Sequence, residues 1–587
     1  MGRKSNSASD RPRPLDDSGE FVRRSEEILL ATSVDLERMS WVYETNITDD
    51  TEFLSAKMQA SAIAIKRQIA KDSRRYARRT HSRELRRKLE LLRLTSSLMA
   101  PVDPKENAEL TRRLTSMRSA YGKGKYRMRG EKAVSDLNGL ARILARSRDP
   151  RRLQEAWVGW HATARPMRPD FERYIALANK GARELEFSDT GEMWRSGYDM
   201  EPAAFEREVR RLWEQVRPLY ELLHAYVRAR LREHYGAVLV PPREPIPAHL
   251  LGNMWAQLWS NVFPLVAPEK LRQGVDLTNA LKRRGIDARG IVRIGERFFV
   301  SLGFDALPTT FWERSQFTKP RDREVMCHPS AWDVDYDEDL RLKMCIEITG
   351  EDFQVVHHEL GHNFYQREYR KLPFLYRDGA NDGFHEAVGD AVALSVTPAY
   401  LKRIDLIDSV PPASAELRAM LRLALDKVAI LPFSFLIDRW RWDVFSGKIA
   451  PEEYNDSWWR LREQFQGVRP PVDRTPEDFD PGAKMHVSGN VPYVRYFLAA
   501  ILQFQFHQAL ARAAGADGPL HRFSVYGNKT AGRRLIKMFR MGASRPWPEA
   551  LETLTGSRRM DAGALLDYFS PLHDWLQQHT KATPVGW

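Results

Sequence analysis

The residues best suited to chemistry are His358, Glu359 and His362 in HHELGH, positions 357–362. Two histidines four residues apart lie on one face of a helix, so both rings can bind a single Zn²⁺. Glu359 would sit beside that ion and act as a general base toward a water whose pKa the metal lowers. The pattern is typical of a zinc metalloprotease. No role follows from the sequence for the preceding histidine, His357.

A hydrolytic zinc site needs a third protein ligand, and the segment GANDGFHEAVGDAVALS offers one. Its turn residues, from Gly379 to Gly383, predict that one helix stops and a second begins. Glu386, in the first turns of the second helix, is the candidate ligand. Asp390, one turn further on the same face, could accept the remaining ring N–H of a ligating histidine. The alternative is that both acids are ordinary solvated helix residues.

The elements that must position these residues are predicted to be mainly helical. Apolar residues recur mostly at helical spacing, with few alternating runs. Thr349 and Asp352 form a capping pair that predicts the start of the HHELGH helix. The 587 residues contain neither a linker between two distinct halves nor a solenoid repeat, which favours one large domain. We therefore expect a disordered tail over residues 1–19 and one domain over 20–587.

The charge of the chain raises other function classes. The formal net charge is +13, and much of the excess lies between Lys66 and Arg93. Apolar residues at helical spacing there predict amphipathic helices with a solvated basic face. No nucleic-acid motif accompanies this stretch, so nucleic acid is not an expected partner. A run of 18 apolar residues is also missing, so no membrane span is expected.

Beyond these local patterns, the chain resembles a known family. HHELGH followed by GANDGFHEAVGD resembles the angiotensin-converting enzyme family of zinc dipeptidyl carboxypeptidases, and the resemblance extends over roughly residues 20 to 580. Residues 245–266 match the family closely, and residues 481–510 form a further cluster of resemblance. The resemblance implies a single-domain member of bacterial type, mainly α, with two lobes around a deep central channel. It also implies an N-terminal helical lid and a very small β component.

The resemblance assigns zinc to His358, His362 and Glu386, and it gives roles to residues outside that site. An extended segment with His328 and Ala331 would pair with the substrate backbone. His486 would hold the peptide, and Tyr496 would stabilise the oxyanion. The terminal carboxylate of the substrate would be bound by three side chains, namely Gln257, Lys484 and Tyr493.

An activating chloride is also implied, held by Trp194, Tyr198 and Arg495. An alternative for Arg495 is a guanidinium buried against a carboxylate, because burying that group requires some anion. The family's second chloride site is doubtful here because His161 stands where an arginine is expected.

The two cysteines, Cys327 and Cys345, could by count alone be a disulfide or two thiols. The resemblance implies a disulfide, which would indicate an oxidising, periplasmic or extracellular compartment. The first residues lack the apolar region of a signal peptide, which keeps a cytoplasmic location as the alternative.

Together these features predict a zinc peptidyl-dipeptidase acting on oligopeptides with a free C-terminus. Because the carboxylate is anchored, the enzyme would measure off a dipeptide. Two alternatives stay open: a zinc carboxypeptidase or oligopeptidase with another product length, and an inactive helical binding protein.

Overall fold

The computed structural model of the chain describes residues 18–76, 82–268 and 274–587, and these form long helices with a few short strands. The predicted mainly α class is confirmed. Most of the predicted tail, residues 1–17, lies outside the described residues, and the first helix already begins at Ser18.

The helices before the HHELGH segment are α1 (Ser18–Thr45), α2 (Asp49–Ser73), α3 (Arg83–Arg93), α4 (Pro104–Lys123), α5 (Leu137–Arg146), α6 (Pro150–Ala162), α7 (Arg168–Glu184), α8 (Thr190–Ser196), α9 (Pro202–Tyr235), α10 (Phe263–Val266), α11 (Leu277–Arg283), α12 (Ala288–Leu302) and α13 (Thr309–Arg314). From that segment onward they are α14 (Gly350–Tyr369), α15 (Asp382–Leu394), α16 (Pro398–Arg403), α17 (Glu416–Lys427), α18 (Ile430–Phe445), α19 (Tyr454–Leu461), α20 (Met485–Ser488), α21 (Val494–Ala513), α22 (Lys529–Phe539), α23 (Trp547–Thr555), α24 (Gly563–Tyr568) and α25 (Ser570–His579).

The strands of the described residues form three two-stranded sheets. They are β1 (Lys125–Tyr126), β2 (Ser135–Asp136), β3 (Ile246–Pro247), β4 (Ser330–Asp333), β5 (Leu340–Lys343) and β6 (Val468–Arg469). β1 pairs with β2 and β4 with β5, both antiparallel, whereas β3 and β6 are parallel. In the β4–β5 pair, Ala331 lies opposite Leu342. The small β component expected from the resemblance is therefore present.

The N-terminal helices have a small apolar cluster of their own. Ile69 of α2 and Leu89 and Leu92 of α3 are buried in it, as the amphipathic pattern predicts. The end of α1 is tied to the segment before β4, because the backbone N–H of Met326 donates to the carbonyl of Glu44 at 2.8 Å. α1 therefore contacts the segment that carries His328 and leads into β4.

One continuous apolar core extends from the end of α2 to α25, and α14, α15 and α21 lie inside it. α14 begins at a Thr349 side chain that accepts from the Asp352 N–H at 3.1 Å, which confirms the predicted cap. α15 begins after Asn381, whose side chain accepts from the Gly383 N–H at 3.0 Å. Both helix starts therefore follow from local side chains.

Two glycines allow α14 and α15 to approach closely. A Cβ placed on Gly361 would lie 2.9 Å from the Cα of Gly389, and one placed on Gly389 would lie 2.8 Å from the ring and the carbonyl oxygen of His358. No side chain fits at either position. This contact brings the faces carrying His358 and Asp390 together.

No helix among the described residues is both long enough and apolar enough to cross a bilayer.

Candidate metal centre and substrate site

The two histidines of α14 converge at one point. The Nε2 atoms of His358 and His362 are 3.1 Å apart. Two ligands about 2.0–2.1 Å from a tetrahedral Zn²⁺ would be separated by about 3.3 Å. The spacing of these two nitrogens therefore fits a shared zinc ion.

Carboxylates complete the donor set. Ligand atoms of His358, Glu359 and His362 all lie within 4.8 Å of one another. Glu386 is outside this tightest group, but its Oε2 is 3.6 Å from Nε2 of His358. Burial raises the pKa of both Glu359 and Glu386. Nitrogen and carboxylate donors in this number are what a hydrolytic zinc site requires, so the residues present fit the metal.

Asp390 lies behind His358, where the sequence predicted it. Its Oδ1 is 3.1 Å from Nδ1 of His358, and its Oδ2 accepts from Nζ of Lys427 at 2.7 Å. Burial opposes ionisation of Asp390, but Lys427 and His358 hold the pKa of this carboxyl well below its usual value. Burial would lower the pKa of His358, yet Asp390 and the nearby glutamates raise it to about 9. Because Asp390 accepts from Nδ1, Nε2 is the ring nitrogen at which a metal ion would replace a proton.

The sequence reasoning missed the partner of the second histidine. Nδ1 of His362 is 3.4 Å from Nδ1 of His385, and Nε2 of His385 is 3.3 Å from the Tyr369 hydroxyl. Burial lowers the pKa of His385 to about 4, so it is neutral at pH 7. The position of His385 directly before Glu386 was the signal that could have identified it.

His357 now has a structural explanation. The side chain is fully buried, with Nδ1 2.8 Å from the Phe353 carbonyl oxygen and Nε2 3.0 Å from the Tyr400 hydroxyl. It points away from the metal centre into the core. Burial lowers its pKa to about 4, so it stays neutral at pH 7.

Three residues predicted to bind a carboxylate come together from distant parts of the chain. The Tyr493 hydroxyl donates to Oε1 of Gln257 at 3.3 Å. Nζ of Lys484 is 5.4 Å from the centre of the Tyr493 ring and 4.0 Å from that of Trp255. All three predicted residues are buried, and no described carboxylate forms an ion pair with Lys484. Burial lowers the pKa of Lys484 to about 7. The ammonium group in this buried pocket has no anionic partner in the described residues, so the pocket could bind one anion.

Aromatic rings continue from this pocket. The ring of His486 is 4.7 Å from that of Tyr493 and 5.8 Å from that of Tyr496. Tyr496 also lies near the candidate metal ligand Glu386. Burial, and then the charge of Glu386, raise the pKa of Tyr496. Tyr496 therefore lies between the carboxylate pocket and the candidate zinc ligands.

A disulfide and a buried lysine hold the segment around β4 in place. Cys327 and Cys345 form a disulfide, as predicted. The buried Nζ of Lys343 donates to the carbonyls of Met326 and His328 at 2.9 and 2.8 Å, and it lies 2.9 Å from Glu44 of α1. His328 itself is exposed and Ala331 is half-buried. Among the described residues β5 is the strand partner of β4, and the Trp332 carbonyl of β4 accepts from Nδ2 of Asn363 at 3.3 Å.

The residues predicted to bind chloride do not form a free anion site. The indole N–H of Trp194 donates to the Ser97 carbonyl at 2.7 Å. Nε of Arg495 is 3.1 Å from Oδ2 of Asp382. Arg495 therefore already has an anionic partner, which is the alternative that the sequence offered for it. At the doubtful second site, buried His161 donates from Nδ1 to the Trp157 carbonyl at 2.9 Å.

Comparisons with known proteins relate most of the chain to one family. The profile of the angiotensin-converting enzyme peptidase family matches residues 15–587. The angiotensin-converting enzyme of Mus musculus is 41% identical over 564 residues, which are 93% of this chain and 42% of the mouse protein. That of Sus scrofa is 40% identical over 97% of this chain and 43% of its own length. That of Haematobia irritans exigua is 39% identical over 94% of this chain and 92% of its own length. The chain thus spans about two-fifths of the length of the mammalian relatives.

Proposed function

Because the chain belongs to the angiotensin-converting enzyme family, we propose that it is a zinc peptidyl-dipeptidase that releases dipeptides from the free C-terminus of oligopeptides. One observation carries the proposal. The Nε2 atoms of His358 and His362 meet at 3.1 Å beside Glu359, while a separate pocket holds a buried lysine without a carboxylate partner in the described chain. A metal-dependent hydrolase that recognises a terminal carboxylate needs both sites.

His358, His362 and Glu386 would hold the zinc ion, and Asp390 orients the first of them. When bound, zinc supplies Lewis acidity that polarises a carbonyl group and lowers the pKa of a water molecule to about 7. Each ligand has its own support: the histidine pair has tetrahedral spacing, and Glu386 approaches the same nitrogen of His358 at 3.6 Å.

Glu359 acts as the general base toward the attacking water and then passes the proton to the departing amine. Burial, the first cause, and the charge of Glu386 raise its pKa, whereas His358 opposes that rise. A carboxyl with a raised pKa can both take and return a proton near neutral pH. Tyr496 donates its hydroxyl to the oxyanion that forms on the former carbonyl oxygen.

Gln257, Lys484 and Tyr493 bind the C-terminal carboxylate of the substrate. The charge of that carboxylate compensates the buried ammonium of Lys484, so a peptide lacking it leaves the cation unpaired. His486, against the Tyr493 ring, holds the peptide between the pocket and the metal. The segment that runs from His328 into β4 and contains Ala331 pairs with the substrate backbone. An anchored end at a fixed distance from the metal determines a dipeptide product.

The proposal includes the setting in which the enzyme works. Residues 20–587 act as one catalytic domain. The disulfide between Cys327 and Cys345 indicates an oxidising environment, and we place the protein in the periplasm or outside the cell. We do not assign the basic residues of α2 and α3 to a nucleic-acid site. The predicted solvated face is only partly present, because Arg87 pairs with Asp199 and Lys88 with Glu26, and the two basic side chains are 11% and 13% exposed.

Replacing Glu359 with Gln tests the proposed chemistry. The variant keeps the size of the side chain and removes its basicity, so it should bind one zinc per chain and lose peptide hydrolysis by several orders of magnitude. Zinc content by atomic emission and peptide turnover are measured on the same preparation. A Glu359→Gln enzyme that retains wild-type turnover would contradict the proposed mechanism.

A further inference from the structure

We propose that Asp382 is the built-in anion of Arg495, replacing an activating chloride, and that this ion pair keeps α15 and α21 in the alignment that catalysis requires. The inference deepens the proposed peptidase function and rests on it. It assigns a positioning role to a residue that does not touch the reacting atoms.

The ion pair occupies a partly shielded position. Nε of Arg495 and Oδ2 of Asp382 are 3.1 Å apart, and the two side chains are 30% and 31% exposed. Neither Nε of Arg495 nor Oδ1 of Asp382 has a hydrogen-bond partner in the described residues. The attraction is therefore mainly Coulombic, and partial burial makes it stronger than it would be in open water.

The groups around the ion pair do not favour binding of a second anion beside Arg495. Tyr198 lies near Asp382. Burial, and then the charge of this carboxylate, raise the pKa of Tyr198 well above the usual value. Trp194 directs its N–H to Ser97. A chloride beside Arg495 would lie next to a carboxylate of the same sign, which costs free energy at short range.

The place of the pair in the fold explains its effect. Asp382 is the first residue of α15, one turn before Glu386, and Arg495 directly precedes Tyr496 near the start of α21. The two helices are in close contact here, because a Cβ on Gly383 would lie 3.1 Å from Cβ of Leu498 and 3.4 Å from the carbonyl oxygen of Arg495. The ion pair thus links the helix of a zinc ligand to the helix of the oxyanion donor.

Anion rescue tests this role on the zinc-loaded enzyme. Dipeptide release is measured at constant ionic strength while sodium chloride replaces sodium gluconate. Wild-type kcat/KM should change by less than about twofold, because its anion is covalently part of the chain. Asp382→Ala should lose roughly tenfold or more without chloride, since small displacements of catalytic groups are costly, and chloride should restore activity saturably. A general loss of folding would not produce saturable rescue.

Two further variants make the assignment specific. The double variant Asp382→Ala, Arg495→Gln should show no chloride rescue, because the receiving cation is gone. Asp408→Ala removes a carboxylate that is 93% exposed and 3.0 Å from Arg284, and it should respond to chloride like the wild type. A wild type that requires chloride, or an Asp382→Ala enzyme fully active without it, would overturn the inference. A wild type that releases no dipeptide in any buffer would instead contradict the proposed function.

Discussion

Asp390 and His358 are joined by a contact of 3.1 Å between Oδ1 and Nδ1, and Lys427 holds the other carboxylate oxygen at 2.7 Å. The lysine keeps Asp390 ionised and fixes its orientation. The aspartate in turn fixes the ring of His358 with Nε2 toward His362. This chain of contacts makes the geometry of the metal centre depend on a residue that does not bind the metal.

Replacing Asp390 with Ala should therefore weaken zinc binding by about 10- to 100-fold, because the ring of His358 is no longer oriented. The measurement is zinc competition against a chelator of known affinity. Asp408→Ala, which removes a solvated carboxylate, should leave zinc affinity unchanged. Equal affinities for Asp390→Ala and the wild type would refute the role of Asp390.

Lys484 predicts a pH dependence of substrate binding. Burial lowers its pKa from 10.5 to about 7, so in the free enzyme the ammonium is present below pH 7 and is lost above it. We expect kcat/KM for a free-acid peptide to fall as pH rises through 7. The kcat should be less affected, because the bound carboxylate stabilises the ammonium and raises its pKa.

The same group has an opposite effect on stability. Between about pH 7 and 10.5 the unfolded chain binds the proton that the folded chain has lost, so Lys484 makes the free energy of unfolding rise with pH. A Lys484→Met variant should lack this contribution in denaturant titrations across that range. It should also lack the inflection in kcat/KM, and an inflection retained near pH 7 would mean that another group is responsible.

Removing the disulfide should lower the free energy of unfolding. Cys327 and Cys345 are 18 positions apart, and both β4 and its partner β5 lie between them. Closing a loop of this length contributes about 3 kcal/mol to the free energy of unfolding. The double variant Cys327→Ser, Cys345→Ser should lose about that amount in urea unfolding. Its KM should rise more than its kcat falls, because β4 positions substrate. An unchanged KM would show that the disulfide is not needed for β4 to position the substrate.

A buried ion pair in α18 supports the carboxylate pocket. Oδ1 of Asp438 accepts from Nε of Arg441 at 2.8 Å, and Oδ2 accepts from the backbone N–H groups of Tyr493 and Val494 at 2.6 and 2.7 Å. Arg441 also donates to the carbonyl of His486 at 2.8 Å. The pair therefore fixes α20 and the start of α21 relative to each other.

Each side chain of this pair is 1% exposed, so Asp438→Asn should destabilise the fold by about 3–5 kcal/mol, leaving an unpaired buried guanidinium. The double variant Asp438→Asn, Arg441→Met should lose less free energy of unfolding than the sum of the losses in the two single variants. A double-mutant cycle in urea measures this coupling. Additive losses would show that the two side chains act independently.

Local sequence patterns predicted the parts of this molecule that depend on helical spacing. The convergence of His358 and His362 follows from four-residue spacing, and the start of α14 follows from Thr349. Asp390 was placed behind a histidine because it lies one turn after Glu386. The first two relations lie within α14 or between α14 and its cap, and Asp390 was placed from its spacing to Glu386 within α15.

Relations between helices could not be obtained in the same way. The approach of Gly361 to Gly389 depends on the crossing of α14 and α15, and neither glycine differs locally from an ordinary helix glycine. His385 was overlooked because its partner, His362, is 23 residues away. The sequence offered two explanations for Arg495, and only its three-dimensional contact with Asp382 favours the carboxylate.

The most direct test of the whole account is product analysis on a pair of peptides with identical sequence, one a free acid and the other a C-terminal amide. Mass spectrometry follows the products of the zinc-loaded enzyme over time. We predict sequential loss of dipeptides from the free acid and far slower cleavage of the amide, since the amide cannot compensate the charge of Lys484. Equal cleavage of both peptides, or release of single amino acids, would contradict the anchored carboxylate and with it the peptidyl-dipeptidase activity.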